Sequence, residues 1–213
     1  MSSSVKKSSI SAIVVAAGLS TRMGEPKQLL PYGKHTVIEQ IVSVLLACSL
    51  DEIVVITGHE RQAIEATLAA WPVRFVFNPN YEQGEMLSSV QCGLTGLDTK
   101  TAAALVVLSD QPQIEATVVH RLIDTYQTKS GPLIIPSFQM RRGHPILIDR
   151  ACWPEILALA WDQTLRAVIK SYAHQINYVV VETNSVLHDI DTPEEYRQAL
   201  QRLPARVRPT DHP

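Results

Sequence analysis

The 213 residues are 46% hydrophobic, with a mean hydropathy of +0.04 and a formal net charge of -2. That is enough chain to bury a core, and it gives no electrostatic case for a nucleic-acid footprint or a membrane surface. Three scattered cysteines, Cys48, Cys92 and Cys152, show no CxxC pair or metal-ligand spacing, and at least one of them cannot pair within the chain, so a reducing compartment is the simpler inference. Residues 1–9 are polar, without the apolar stretch of a signal peptide, and no run is long enough to span a bilayer. A cytoplasmic protein with a small-molecule partner is expected.

Residues Ile10 to Ala16 form an apolar run that breaks into Ala17-Gly18-Leu19-Ser20-Thr21-Arg22-Met23-Gly24-Glu25-Pro26-Lys27. This reads as a strand covered on both faces, feeding a glycine-bearing loop at the carboxyl edge of a parallel sheet, where such sheets bind ligands. Gly18 and Gly24 allow close approach of backbone amides to an anion, and Arg22 and Lys27 supply positive charge. The spacing fits neither a P-loop nor a dinucleotide fingerprint. The residues alone leave two readings, a polyphosphate cradle or a surface loop.

The stretch Ala16 to Gly24, with Lys27, resembles the signature loop of nucleotidyltransferases that activate a small phosphorylated molecule with a nucleoside triphosphate. Within them it is most similar to the molybdenum cofactor cytidylyltransferases, which have the MobA-like NTP transferase fold; later segments extend the likeness to about Tyr196. The resemblance implies nucleotide binding by Ala16, Ala17, Gly18, Arg22 and Lys27, with Arg22 and Lys27 also catalytic. Ala-Ala-Gly resembles the cytidylyl branch, where guanylyl enzymes have Gly-Gly, so CTP is expected over GTP.

Downstream, Leu29 to Lys34 reads as a turn, and Thr36 with Glu39 as a capping box ahead of a helix carrying Val37, Ile38, Ile41, Val42, Leu45 and Leu46. A strand over Glu52 to Thr57, a helix from Gly58 to about Leu68 and a strand over Val73 to Phe77 follow. This rhythm predicts a three-layer α/β fold, a mostly parallel sheet with helices on both faces. After a loop at Tyr81 to Gly84, a helix over Glu85 to Leu97 carries Ser88, Ser89, Cys92 and Gly93, small residues suited to close packing. The resemblance adds a nucleobase contact for Ser89, with help from the Gly84 backbone.

Ala102 to Leu108 is a strongly hydrophobic strand ending in Ser109-Asp110-Gln111-Pro112. Asp110 suits either a cap for the helix near Glu115 or, at a strand end, a hard cation; the resemblance implies the metal. A helix over Thr117 to Tyr126 and a strand over Pro132 to Pro136 come next. Arg141-Arg142-Gly143-His144-Pro145 then reads as an anion pocket or a solvated turn before another strand, and its likeness to the acceptor-side segment of the same enzymes places Arg142, Gly143 and His144 near the second substrate. Trp161 to Arg166 lacks the two glycines common in that family, which leaves the acceptor open.

Helices over Trp153 to Leu159 and Leu165 to Tyr172 precede a last strand, Asn177 to Glu182. Thr192 to Glu195 is a second capping box with Pro193 at the first helical position, leaving the Asp191 carboxylate outside the cap. The resemblance makes Asp191 the second metal ligand, with Asp189 as the other choice. One domain over residues 10–202 is expected, with flexible ends at 1–9 and 203–213.

The implied chemistry is transfer of CMP from CTP to the phosphate of a molybdopterin-type cofactor, with Mg²⁺ on Asp110 and Asp191, release of pyrophosphate, and a molybdoenzyme as an optional recipient. A phosphomonoester acceptor is already ionised, so no general base is needed, and Lys27→Ala is expected to lose turnover with the fold intact. The alternatives are transfer to a sugar or alcohol phosphate, or a non-catalytic molybdenum cofactor carrier.

Overall fold

The computed structural model describes residues 8–83, 85–129, 131–160 and 162–203. Strand β1 (Ile10–Ala16) is the centre of the main sheet, flanked in parallel by β4 (Glu52–Thr57) and β6 (Ala103–Leu108). Its residues alternate between two cores. Ala12, Val14 and Ala16 face one cluster and Ile13 the other, so the run needs no polar face.

Between β1 and β4 the chain makes a short 3-10 turn at Lys27–Leu29 and a small hairpin of β2 (Pro31–Tyr32) and β3 (His35–Thr36). The single turn expected there is therefore a turn plus a hairpin. Thr36 and Glu39 form the expected capping box on α1 (Val37–Leu46). Helix α2 (Arg61–Thr67) starts three residues later than Gly58, because Glu60 takes a left-handed φ of 53° before it. Strand β5 (Arg74–Phe77) extends the parallel edge beside β4.

Helix α3 (Glu85–Gly96) packs its small residues on the sheet: a Cβ at Gly93 would lie 2.5 Å from Ile13 Cγ2. After β6 come α4 (Ala116–Lys129) and β7 (Leu133–Phe138), then β8 (Arg141–Arg142), which pairs back on β7. The Arg141-Arg142 segment is thus the return arm of a hairpin, with positive φ at Gln139 and Met140.

Strand β9 (Ile146–Asp149) inserts between β6 and β7, antiparallel to both. Helices α5 (Trp153–Leu157) and α6 (Leu165–Ser171), edge strand β10 (Ile176–Val180) and α7 (Pro193–Arg202) complete the chain. The strand order is β10-β7-β9-β6-β1-β4-β5. The first core cluster takes in residues of α1, α2, α4 and α7, the second those of α3, α5 and α6, giving the expected three layers. Each fully buried Ile or Leu contributes about 1.5–3 kcal/mol.

Of the expected loose ends, residues 1–7 and 204–213 lie outside the described residues, while Ser8 exchanges two hydrogen bonds with Gln127. Among the described residues no helix is long and apolar enough to cross a membrane.

Candidate active site

The carboxyl ends of β1, β4, β5, β6 and β7 share one edge of the sheet, and a cleft of about 440 Å³ opens there, lined among others by Ala17, Gly18, Ser20, Lys27, Tyr81, Ser89 and Asp110. The opening loop is wound around Ser20. Its carbonyl accepts from the backbone N–H groups of Met23 and Gly24, and its hydroxyl accepts from Lys27 N and donates to Gln28 Oε1. Ser20 takes a φ of 52° and Gly24 one of 80°, and these left-handed residues turn the chain back toward Lys27. A Cβ at Gly18 would meet no atom within 4 Å, so the space above it is open to a ligand.

Lys27 Nζ lies 2.7 Å from Asp110 Oδ2 and 2.7 Å from Asp191 Oδ1, and Arg22 Nη2 lies 2.6 Å from Asp191 Oδ2. The two aspartates are brought together by backbone and side-chain ties between their loops. Ile190 N donates to the Asp110 carbonyl at 2.8 Å, Gln111 Nε2 to Asp189 Oδ1 at 2.6 Å, and Gln113 Nε2 to the His188 carbonyl. Asp191 is aimed by the next helix: Thr192 caps α7, and the Asp191 N–H donates to the Glu195 carboxylate that completes the capping box. Asp189 is engaged by Gln111, whereas Asp110 Oδ1 is buried with no partner among the described residues.

Burial pushes the Asp110 carboxyl upward, and although Lys27 pulls it back, the net shift is up. For Asp191 burial acts in the same direction, yet the hydrogen bonds and charges of Lys27 and Arg22 outweigh it and the pKa falls. Burial works against the Lys27 ammonium, but its two carboxylate partners win and hold it above its usual value. Lys27 thus bridges the two aspartates, and Arg22 adds a second contact to Asp191.

On the far wall, Ala17 packs on Gly58, where a Cβ would lie 2.7 Å from Ala17 Cβ and 2.6 Å from Tyr81 Cβ. Ser89 faces the cleft from α3 and accepts a 3.0 Å hydrogen bond from Asn78 Nδ2. Ala16 is fully buried at the end of β1 and does not line the cleft. Gly84 lies outside the described residues. Sequence reasoning missed Asn78 and Gln28; both follow residues it had singled out, the end of a strand and Lys27.

The three residues placed at the acceptor side diverge. Arg142 Nε donates to the Tyr178 hydroxyl at 2.7 Å, on the outer face of the β7–β8 hairpin. Gly143 is pinned against Val186, whose carbonyl oxygen would lie 2.4 Å from an added Cβ. His144 turns inward, close enough to Asp110 to feel its charge, with Nδ1 buried and without a partner among the described residues.

Two carboxylates, one with an oxygen buried and without a partner among the described residues, offer the hard oxygen donors that a divalent ion would take. Among the described residues no group of three or more His, Cys, Asp or Glu could hold a metal. Asp110 and Asp191 would leave most coordination positions to phosphate oxygens and water, as Mg²⁺ sites commonly do.

The sequence model of the MobA-like NTP transferase domain matches residues 12–176. The chain is 29% identical over 203 residues to the nicotine blue oxidoreductase of Paenarthrobacter nicotinovorans, covering 90% of this chain and 96% of that protein. It is 28% identical over 202 residues to the molybdenum cofactor cytidylyltransferase of Escherichia coli K12, covering 92% and 97%. Among solved structures it matches Rv0371C of Mycobacterium tuberculosis H37Rv in complex with manganese, with a TM-score of 0.79 and 25% identity, over 92% of this chain and 100% of that one.

Proposed function

Since the chain belongs to the family of MobA-like NTP transferase domains, we propose that it transfers CMP from CTP to the phosphate of a molybdopterin-type cofactor and releases pyrophosphate. The observation that carries this reading is Lys27 Nζ held 2.7 Å from both Asp110 and Asp191 at the mouth of the cleft. Nucleotidyl transfer asks for positioning and charge neutralisation more than for covalent chemistry, and these residues supply both.

In this reading the triphosphate lies across the 18–27 loop, with Arg22 and Lys27 released from their carboxylates to its oxygens. The base sits between Ala17, Tyr81 and Ser89. The acceptor phosphate, ionised at neutral pH, attacks the α-phosphorus in line, and Arg22 and Lys27 neutralise the charge that grows on the leaving pyrophosphate. Mg²⁺ held by Asp110 and Asp191 would polarise the phosphates and neutralise charge when bound. Three free thiols, Cys48, Cys92 and Cys152, support a cytoplasmic setting. A molybdoenzyme would then receive the product.

The test is pyrophosphate release from CTP, GTP, ATP or UTP with Mg²⁺ and a molybdopterin-type acceptor. Release that needs CTP and the acceptor together supports the reading. Release with a sugar or alcohol phosphate moves the acceptor, and CTP binding without release makes the protein a carrier. No use of any triphosphate, with turnover of a reducible dye in its place, would move it toward the oxidoreductase relative.

A further inference from the structure

We infer that Asn78 sets the nucleobase preference of the cleft, by fixing Ser89 as a hydrogen-bond donor. Asn78 sits just past β5 and is 1% exposed, and its amide has one possible orientation. Its Oδ1 accepts from Asn80 N at 3.0 Å, so the oxygen must face that way. The Nδ2 group then points at α3, giving one proton to Ser88 Oγ at 2.8 Å and the other to Ser89 Oγ at 3.0 Å. Ser89, itself 2% exposed, uses a lone pair for this bond. Its only proton has no acceptor among the described residues and is left to the cleft that Ser89 lines.

A buried donor rejects a ligand edge that also donates, because both groups then lose their hydrogen bonds to water without replacement. The pairing edge of cytosine presents O2 and N3 as acceptors, while the matching positions of guanine, the 2-amino group and N1–H, are donors. Facing O2 and N3, and not the third position of the edge, where cytosine carries its amino donor and guanine its O6 acceptor, a base contact held as a donor favours CTP over GTP. This argument is separate from the Ala-Ala-Gly likeness, though it rests on the nucleotidyl-transfer reading. Asn78 acts through Ser89 and is a positioning residue; Ser89 makes the contact.

The test is isothermal titration of CTP and of GTP, each with Mg²⁺, into wild type, Asn78→Asp and Ser89→Ala. Asn78→Asp keeps the shape and the bond from Asn80 N but turns the group facing Ser89 into an acceptor, so Ser89 must spend its proton on it. The expected result is a fall of about ten-fold or more in the CTP-to-GTP affinity ratio in this variant. Ser89→Ala removes the donor with Asn78 in place; CTP is expected to weaken by about ten-fold while GTP is unchanged. If Asn78→Asp does not fold, Asn78→Ala takes its place: it removes the amide donor that occupies the Ser89 lone pair, leaves the hydroxyl free to accept as well as donate, and is expected to lower the same ratio. Parallel weakening of CTP and GTP, or an unchanged ratio, overturns the inference while leaving the functional reading intact. A wild-type protein that binds no triphosphate overturns that reading itself.

Discussion

Lys27 Nζ lies 2.7 Å from Asp191 Oδ1 although 164 positions separate the two residues, and the same nitrogen lies 2.7 Å from Asp110 Oδ2, 83 positions away. One ammonium thus joins the loop after the first strand to the ends of two distant segments. It relieves the repulsion between the two aspartates, and in the proposed mechanism it would move to a phosphate once a divalent cation took over that task.

Lys27→Ala is expected to lower nucleotidyl transfer by roughly 100-fold, the usual loss for one charge-stabilising donor. The sequence argument expects the fold to be indifferent to this change. The structure revises that expectation, because Lys27 and Asp110 are both largely buried, with side chains 12% and 18% exposed. Removing the cation leaves the Asp110 carboxylate without its partner, and a loss of about 1–3 kcal/mol in urea unfolding is expected. Wild-type turnover in the variant would remove Lys27 from the mechanism.

Acid should destabilise the metal-free protein through His144. Burial pushes this imidazole down to about 4, against the opposing pull of Asp110 and the Val106 backbone. An unfolded histidine titrates near 6.5, so between these values the unfolded chain holds a proton that the folded one refuses. The stability present at pH 7 is therefore lost as pH falls through that window, by about 2 kcal/mol at pH 5. Urea midpoints at pH 7 and 5 in the presence of a chelator should show the drop in wild type and a smaller one in His144→Asn; equal drops would contradict the assignment.

Gly18, which lines the cleft, and Gly58, which lies behind its Ala17 and Tyr81, should respond in opposite ways. Gly58→Ala puts a Cβ 2.6 Å from Tyr81 and 2.7 Å from Ala17, so it should cost about 1–3 kcal/mol of stability and disturb the base wall. Gly18→Ala meets nothing within 4 Å in the free protein, and stability should stay within about 0.5 kcal/mol. If the loop cradles phosphate, the same methyl blocks that approach, and CTP affinity should fall at least about ten-fold. Calorimetric titration beside thermal unfolding separates the two effects.

The sequence carried the strands and helix starts whose causes are local. The runs at β1, β4 and β6 and the capping boxes at Thr36 and Thr192 are seen where expected, because periodicity and cap chemistry act over a few residues. Strand β9 was legible as a strand but not as reversed, since nothing in Ile146–Asp149 states which neighbours it will pair with. Helix α2 begins late because a left-handed Glu60 is not visible in residue types. At the site, the nearness of Arg22, Lys27, Asp110 and Asp191 was expected from the family likeness; the ties from Gln111 and Gln113 that hold those loops together were not. Side-chain amides at turns are common in any sequence, and only their partners distinguish them.

The central claim is that Asp110 and Asp191 grip a metal-bound nucleotide at the Lys27 rim. Calorimetric titration of CTP with and without Mg²⁺ into wild type, Asp110→Asn and Asp191→Asn tests it most directly. Wild type should bind CTP much more tightly with Mg²⁺, and each variant should lose most of that metal-dependent gain. Variants that keep the full gain, or a wild type indifferent to Mg²⁺, would contradict it.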